Sequence, residues 1–558
     1  MRLAKRLGFI VLMSSLLMSS LAFAQTSTTN DAASTSNVAD QLKKLQDAMA
    51  EQQKQIAQQQ QQIQKQQQEM ETLRQQLGTQ QNVSAKGGDV SGRIVNASLT
   101  NKTNTNPSAQ PASDAPPQED QTKESPLSFK IGGAQFTPGG FMDFTTIFRT
   151  VNTGNPGGTN FFAIPFSNTV AGHLSETRFT ATNSRISLKA NEKFGKNDVT
   201  GYYEIDFLGN DAANVFVTSN SHTLRQRLYW VDVKRDKFEF LAGQSWSWLT
   251  PNRVGVSPNP SDVFFSQAMD FNYQVGLTWT RAPQVRFVYH PNENWALGVA
   301  MENPEQFGGQ GEITFPTAFN AQLGGQIDQA NISSTPNLHP DIIPKVAYDT
   351  DVNGKHFHVE AAGLLTGLKT TNLVAGSFVK HTKEGGGVEG AFNLELVKNF
   401  RVVANGFYSN GGGRYIFGMG PDLVALNNAA GTDVILSLIH SGSGIGGFEW
   451  QATPKTNFFG YYGGAYFQRN FTLDTTPGAP PNKFIGFGGP NSANNNNRAI
   501  QEGTLGWTQT FWRNPQYGAL QLITQASYLT RAPWFVPLGA PKNAHLVMGW
   551  VDIRYVLP

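Results

Sequence analysis

Apolar and polar residues alternate with a period of two over 224–290. LRQRLYWVDV, a turn KRDK and FEFLAGQSW are followed by a polar insert of about 37 residues over 247–283 and then by QVRFVYH. Such alternation specifies strands with two unlike faces. In the first strand Leu224, Leu228 and Trp230 share one face, and Arg225 and Arg227 the other; in the last, Val285, Phe287 and Tyr289 alternate with Arg286 and His290. A sandwich hides its apolar face inside, whereas a membrane-spanning barrel turns it toward lipid and its charges toward a wet lumen. Val231 and Val233 fall on the arginine face near the turn, a conflict that a β-bulge or emergence from the membrane resolves.

The same pattern recurs through residues 127–558. Sixteen strand candidates begin at 140, 179, 199, 223, 238, 284, 294, 342, 355, 386, 400, 445, 457, 501, 517 and 545. Brief turns such as NEKFGKND, KRDK, HPNEN and TPKT alternate strictly with long polar connections, at about 151–177, 209–222, 247–283, 302–341, 366–385, 410–444, 470–500 and 530–544. An even strand count with short turns on one side and long loops on the other describes an all-β transmembrane barrel of about 16 antiparallel strands. Glycine blurs the period in the tenth and twelfth strands. Trp246, Trp248, Trp295, Trp507, Trp512, Trp550 and Tyr555 cluster near strand ends, where interfacial girdles lie.

Ahead of the barrel the period changes. Residues 1–24 carry Arg2, Lys5 and Arg6, an apolar run and Ala22-Phe23-Ala24, the form of a bacterial secretory signal peptide. After a polar lead at 25–37, heptads place Leu42, Met49, Ile56, Ile63, Met70 and Leu77 at one core position. Val38, Leu45, Gln52, Gln59, Gln66 and Leu73 take the other. That register predicts an N-terminal α-helical coiled coil over 38–77, and its three successive core glutamines suit a homotrimeric stalk better than a tight dimer. Residues 78–126, rich in Asn, Ser, Thr, Gly and Pro, read as a linker.

Composition narrows the chemistry. The 558 residues contain no cysteine, which excludes disulfides, thiolate metal sites and a lipidated N-terminal cysteine. Beyond the signal segment no run reaches 18 apolar residues, so a bilayer crossing must be made by strands. Net charge is +2, without a basic stripe interleaved with aromatics, so nucleic acid gains no support as a partner. Any charge selectivity therefore depends on where charges sit. Strand parity puts Arg149, Arg185, Lys189, Arg225, Arg227 and Arg286 on polar faces, and arginines in a narrowed lumen favour carboxylates and phosphates. Asp143, Glu204, Asp206, Asp262 and Asp270 are acidic lumen candidates. The 247–283 connection carries Val263, Phe264, Phe265 and Met269, and so is expected to fold inward and narrow the pore. His356, His358 and Glu360 share a strand face, better read as lumen lining than as a metal site. No nucleophile elbow, phosphate loop or zinc-protease motif is present, so neither an enzyme nor a cofactor is expected.

With coil, linker and barrel in this order, and through FTATNSRISLKA, YYEIDF, LRQRLYW and LAGQSWS, the chain resembles the DcaP-type trimeric porins. The resemblance implies a sixteen-stranded outer-membrane channel with a periplasmic coil that takes up small anionic solutes such as dicarboxylates. It places Arg185, Arg225 and Arg227 in a positive pore wall. Phosphate-selective porins are similar in outline. The ending Tyr555-Val556-Leu557-Pro558 departs from the terminal aromatic residue common in such barrels. The resulting expectation is a trimeric porin in outer-membrane lipid, passing small hydrophilic anions through a pore narrowed by 247–283. The alternative is a structural anchor whose coil tethers the outer membrane to peptidoglycan or to a periplasmic protein.

Overall fold

Alternation along each strand becomes, in the computed structural model, a closed cylinder with an apolar outside and a charged inside. The structure describes residues 125–155, 157–209, 222–263, 266–309, 311–327, 335–417 and 419–558. The expected signal peptide, polar lead, coiled coil and nearly all of the linker lie outside the described residues, as do Phe264 and Phe265.

Sixteen antiparallel strands form the barrel. The first four are β1 (Ala134–Arg149), β2 (Glu176–Thr180 continued by Arg185–Phe194), β3 (Asn197–Asp206) and β4 (Arg225–Arg235). Then come β5 (Phe238–Trp246), β6 (Arg281–Tyr289), β7 (Trp295–Glu302) and β8 (Asp341–Val352). The second half comprises β9 (Lys355–Val374), β10 (Ser377–Val397), β11 (Phe400–Asn410), β12 (His440–Thr453), β13 (Thr456–Phe467), β14 (Asn497–Asn514), β15 (Gly518–Pro533) and β16 (Ala544–Val556). Every strand pairs with its sequence neighbour, and β16 returns to β1 from Phe141↔Val556 to Arg149↔Met548, closing the cylinder and leaving no edge to satisfy in lipid.

On β1, Met142, Phe144 and Phe148 point outward while Asp143, Thr145 and Arg149 are buried inside; on β16, Val547, Val551 and Ile553 are outward and Asp552 and Arg554 inward. Cross-strand aromatic pairs knit the outer face, among them Phe240 and Phe287 with ring centroids 5.0 Å apart. Apolar groups that contact lipid and charges that would be prohibitive there are thus sorted by the pleat alone.

Three details depart from the sequence pattern. A bulge on β4 lets Glu204 pair with Leu228 while Ile205 pairs with Gln226, leaving Arg227 as the extra residue. Beyond it the facing reverses: Arg225 and Arg227 point inward, but so do Leu228, Trp230 and Asp232, while Tyr229 and Val231 face out. Leu228 and Trp230 therefore lie on the lumen side with the arginines. Second, the connection expected over 366–385 is strand: β9 and β10 pair from Phe357↔Leu394 to Val374↔Ser377 and turn at Ala375-Gly376, where both φ angles are positive. Third, Trp246, Trp248 and Trp550 are buried in the interior, whereas Trp295 and Trp512 are exposed. The three buried rings pack the lumen, because β16 parity turns Trp550 inward and the 247–283 insert leaves β5 at Trp246 and Trp248.

Candidate functional site: a loop-filled lumen with an arginine wall

The 247–280 connection lies inside the barrel. Val263, Tyr273 and Leu277 are buried and cluster with Leu228, Trp230 and Leu241 of the near wall and Phe459 and Tyr461 of the far wall, while Trp248, Leu249 and Val275 are buried in a second apolar cluster with Val288, Ala300 and Ile343. Buried loop backbone must find partners, and here inward polar side chains of the wall supply them. Asn252 N donates to Glu360 (3.2 Å), Gly255 N to Asp349 (3.0 Å), Thr278 N to Asn405 (3.1 Å), Val275 N to Glu502 (2.9 Å) and Gln267 N to the Tyr461 hydroxyl (2.9 Å). The strongest tie is a bidentate one, from Arg253 Nη1 and Nη2 to Glu449 at 2.8 and 2.6 Å.

Glycine explains where the loop can press against the sheet. Gly276 has φ +97°, and a Cβ on it would collide with the Gly444 carbonyl; one on Gly463 would collide with the Val275 carbonyl. Gly444 on β12, one of the two strands whose period glycine blurs, and Gly463 on β13 are the sites of this backbone contact.

Four arginines gather where the loop meets β2, β4 and β6. Arg225 binds Asp206 (Nη2 to Oδ2, 2.6 Å); Arg227 binds Glu204 (2.6 Å), Asp206 (2.8 Å) and the Tyr273 hydroxyl (3.2 Å). Arg185 stacks on Phe141 and donates to the same hydroxyl at 3.4 Å. Arg281, absent from the sequence-based set, lies over the Trp246 ring at 5.5 Å, with Arg227 on that ring at 5.5 Å too. Its Nη1 is buried without a hydrogen bond. Among the described residues, four cations thus face two carboxylates, leaving two positive charges in excess. Burial raises the pKa of the loop phenol Tyr273, but Arg185 and Arg227 outweigh it and hold the value below that of an ordinary tyrosine.

The other sequence candidates lie elsewhere. Arg149 is wholly buried, binding Glu176 (3.0 Å) and the carbonyls of Asn155 and Gly157 with Trp550 beneath it, so it pins the first outer connection. Arg286 donates to Ser245 (3.3 Å) and the Trp246 carbonyl and stacks on Trp248, buttressing the root of the inward loop. Lys189 is half-buried and interacts electrostatically with the loop residue Asp262. Asp270 accepts from Thr159 N and Asn272 N (2.9 Å each), and burial raises its carboxyl above the usual range. His358, with His356 beside it, bridges Asp349 (2.9 Å) and Glu360 (3.2 Å), the carboxylates that hold the loop backbone. Parity could have found Arg554, which alternates with Asp552 and Trp550; no local signal marks Arg253 or Arg281, because both stand in irregular or strand-end sequence.

Beyond this level the outer connections pack together. Phe161, Phe315, Leu323, Tyr415, Val424 and Phe487, from four of them, share one apolar cluster. Arg414 ties it down, binding Asp422 (2.7 Å) and Asp341, which also accepts from the Tyr415 hydroxyl.

Among solved structures, the outer membrane channel DcaP of Acinetobacter baumannii superposes with a TM-score of 0.54 at 16% identity, over 77% of this chain and 99% of that one. The chain has the fold of the DcaP channel. An anion-selective porin from Comamonas acidovorans (TM-score 0.40, 11% identity, 76% of this chain and 99% of that one) and OmpT, an outer membrane protein of Vibrio cholerae (0.39, 10%, 77% and 99%), are more distant. No known family profile matches the sequence, and no curated protein sequence matches it either.

Proposed function

We propose that this chain is a porin of the bacterial outer membrane, admitting small hydrophilic anions, carboxylates or phosphate, by passive diffusion. Its short turns and both described termini would face the periplasm and its long connections the exterior. The observation that carries the reading is the convergence of Arg185, Arg225, Arg227 and Arg281 against, among the described residues, Glu204 and Asp206, beside the inward loop. Fixed cations beside a narrowed passage raise the local anion concentration and repel cations, and forked guanidinium donors suit carboxylate and phosphate oxygens. In this reading residues 247–283 form the constriction, residues 38–77 join three copies through a periplasmic coil, and DcaP's designation as an outer membrane channel agrees with the shared fold. No step needs an enzyme or a cofactor.

The test is the reversal potential of the purified full chain in a planar bilayer under a potassium chloride gradient. Stepwise conductance with an anion-selective potential is expected; a cation-selective potential would overturn the assignment of the wall. The apolar packing of the outer connections favours a second reading, a closed barrel serving as an envelope anchor through its coil. Absence of conductance, together with envelope detachment on deleting residues 38–77, would establish that reading instead.

A further inference from the structure

Trp534 leaves the end of β15 from which a long connection departs, with the outward parity of the exposed Tyr528. Its ring is fixed there: Nε1 donates to the Phe467 carbonyl and its backbone N to the Asn496 carbonyl, each at 2.9 Å. Gly488, at φ +71°, lets the 470–496 connection pass close by, since a Cβ on it would meet the indole at 2.6 Å. Two arginines lie on this ring, Arg469 at 5.2 Å and Arg498 at 5.9 Å from its centroid, and Tyr466 meets it edge to face at 6.1 Å. Arg498 is the extra residue of a bulge, where Asn497 pairs with Pro533 and Ala499 with Ala532, so it stands outside the alternation that sorts its neighbours.

Both guanidinium groups are exposed, and among the described residues neither has an ion pair. The strands and connections around them supply almost no negative charge. Over 466–501 and 528–547 the sequence holds one acidic residue, Asp474, and it is taken up by Thr317 (2.7 Å) and Lys483 (3.4 Å). The carboxyl of Glu312, from a neighbouring connection, is buried with Arg531 as its opposite charge. Toward the middle of the barrel on the same outer face, Tyr466, Tyr462 and Leu505 are exposed, with Tyr528 and Val547 on the strands beyond. The arginine pair thus caps an apolar, tyrosine-bearing face of the kind that meets acyl chains and the interface above them.

We infer that Arg469, Arg498 and Trp534 form a site on the outside of the barrel for the phosphate of an outer-leaflet lipid headgroup, whose acyl chains lie along Tyr462 and Leu505. This rests on the orientation given under Proposed function, which sets the long connections at the outer surface. Forked guanidinium donors match phosphate oxygens, and stacking on one hydrogen-bonded indole holds both forks in place before the lipid arrives. A soluble anion would satisfy the arginines but would leave the exposed apolar face below them without a partner; a headgroup with its chains satisfies both.

The test is native mass measurement of the full chain in detergent with lipid A, a diglucosamine lipid bearing two phosphates, as the probe. The wild type should retain the lipid, and the variant Arg469→Gln/Arg498→Gln should bind it roughly thirtyfold more weakly, at the usual contribution of a surface arginine to anionic-lipid attraction. Heat-modifiable electrophoretic migration confirms that the variant is folded. Lipid A stripped of its phosphates should bind wild type and variant alike. Equal binding of lipid A by wild type and variant, or retention of the dephosphorylated lipid as tight as that of lipid A, would overturn the site. Displacement of lipid A by 10 mM inorganic phosphate, but not by chloride of equal ionic strength, would overturn the lipid assignment in favour of a free-anion site. A variant that loses trimers while keeping lipid A would overturn it in favour of a contact with a second copy of this chain. Because the patch lies outside the lumen, the variant should keep the conductance and reversal potential of the wild type. A silent or cation-selective pore that still retains lipid A through these two arginines would thus overturn the proposed function alone.

Discussion

Arg281→Gln isolates the electrostatics of the wall. Arg227 cannot serve, because removing it strands Glu204 in the interior without its ion pair, although Asp206 keeps Arg225. Arg281 has no ion pair among the described contacts; its guanidinium lies on Trp246, so the substitution forfeits one stacking contact, about 1 kcal/mol, and orphans no charge. The excess of two positive charges falls to one. For a monovalent ion passing at about 6 Å in water, one unit charge contributes roughly 0.7 kcal/mol, reduced to about 0.4 kcal/mol by screening in 0.1 M salt. That halves anion occupancy and doubles cation occupancy, so the chloride-to-potassium permeability ratio should drop about fourfold. Reversal potentials at 0.1 M and 1 M measure it, with heat-modifiable electrophoretic migration confirming a folded barrel. A ratio unchanged at 0.1 M, or changed as much at 1 M as at 0.1 M, would refute the placement of an electrostatic filter at this wall.

Three further outcomes follow from particular contacts. Arg253→Ala leaves Glu449 buried and unpaired, at a cost of about 3–5 kcal/mol, whereas Arg253→Met/Glu449→Met removes both charges and should cost less; thermal unfolding of the barrel ranks the two, and equal losses would refute the latch. Burial pushes the carboxyl of Glu312 well above its usual range, Arg531 only partly opposing it, and its Oε2 has no hydrogen bond. A carboxyl raised in the folded state stabilises at acid pH and loses that contribution as pH rises through the raised value, so the outer connections should be cleaved faster by protease at pH 9 than at pH 6 in the wild type. In Glu312→Gln that difference should disappear. Deleting residues 38–77 should convert trimers to monomers on native mass measurement while leaving stepwise conductance; trimers that persist would remove the stalk from the assembly.

Strand number, strand position and the inside-outside sorting of most side chains were legible in the sequence, because a barrel in lipid has one pleat to obey and each residue's facing follows from its parity. The inward course of the 247–283 connection was legible for a similar reason, since apolar residues in a long polar loop need cover. Parity failed on β4. The bulge at Arg227 is set by how β3 pairs, and one inserted residue sends Leu228 and Trp230 to the lumen that strict alternation gave only to the arginines. Length failed on β9 and β10, where glycine-rich sequence continues as paired strand far past the barrel wall.

The grouping of charges belongs to tertiary structure alone. Arg149, Arg225 and Arg286 carry the same sequence signal, an arginine on a polar strand face. The fold buries the first among carbonyls of an outer connection, sets the second against Asp206 near three other arginines, and spends the third on the root of a loop. Arg281 joins the wall only because the inward loop returns to the sheet beside Trp246. Local alternation determines which way a residue points. Which charges then meet across a lumen depends on strand registers and on a loop that touches walls nearly 200 residues away, and no local period encodes those distances.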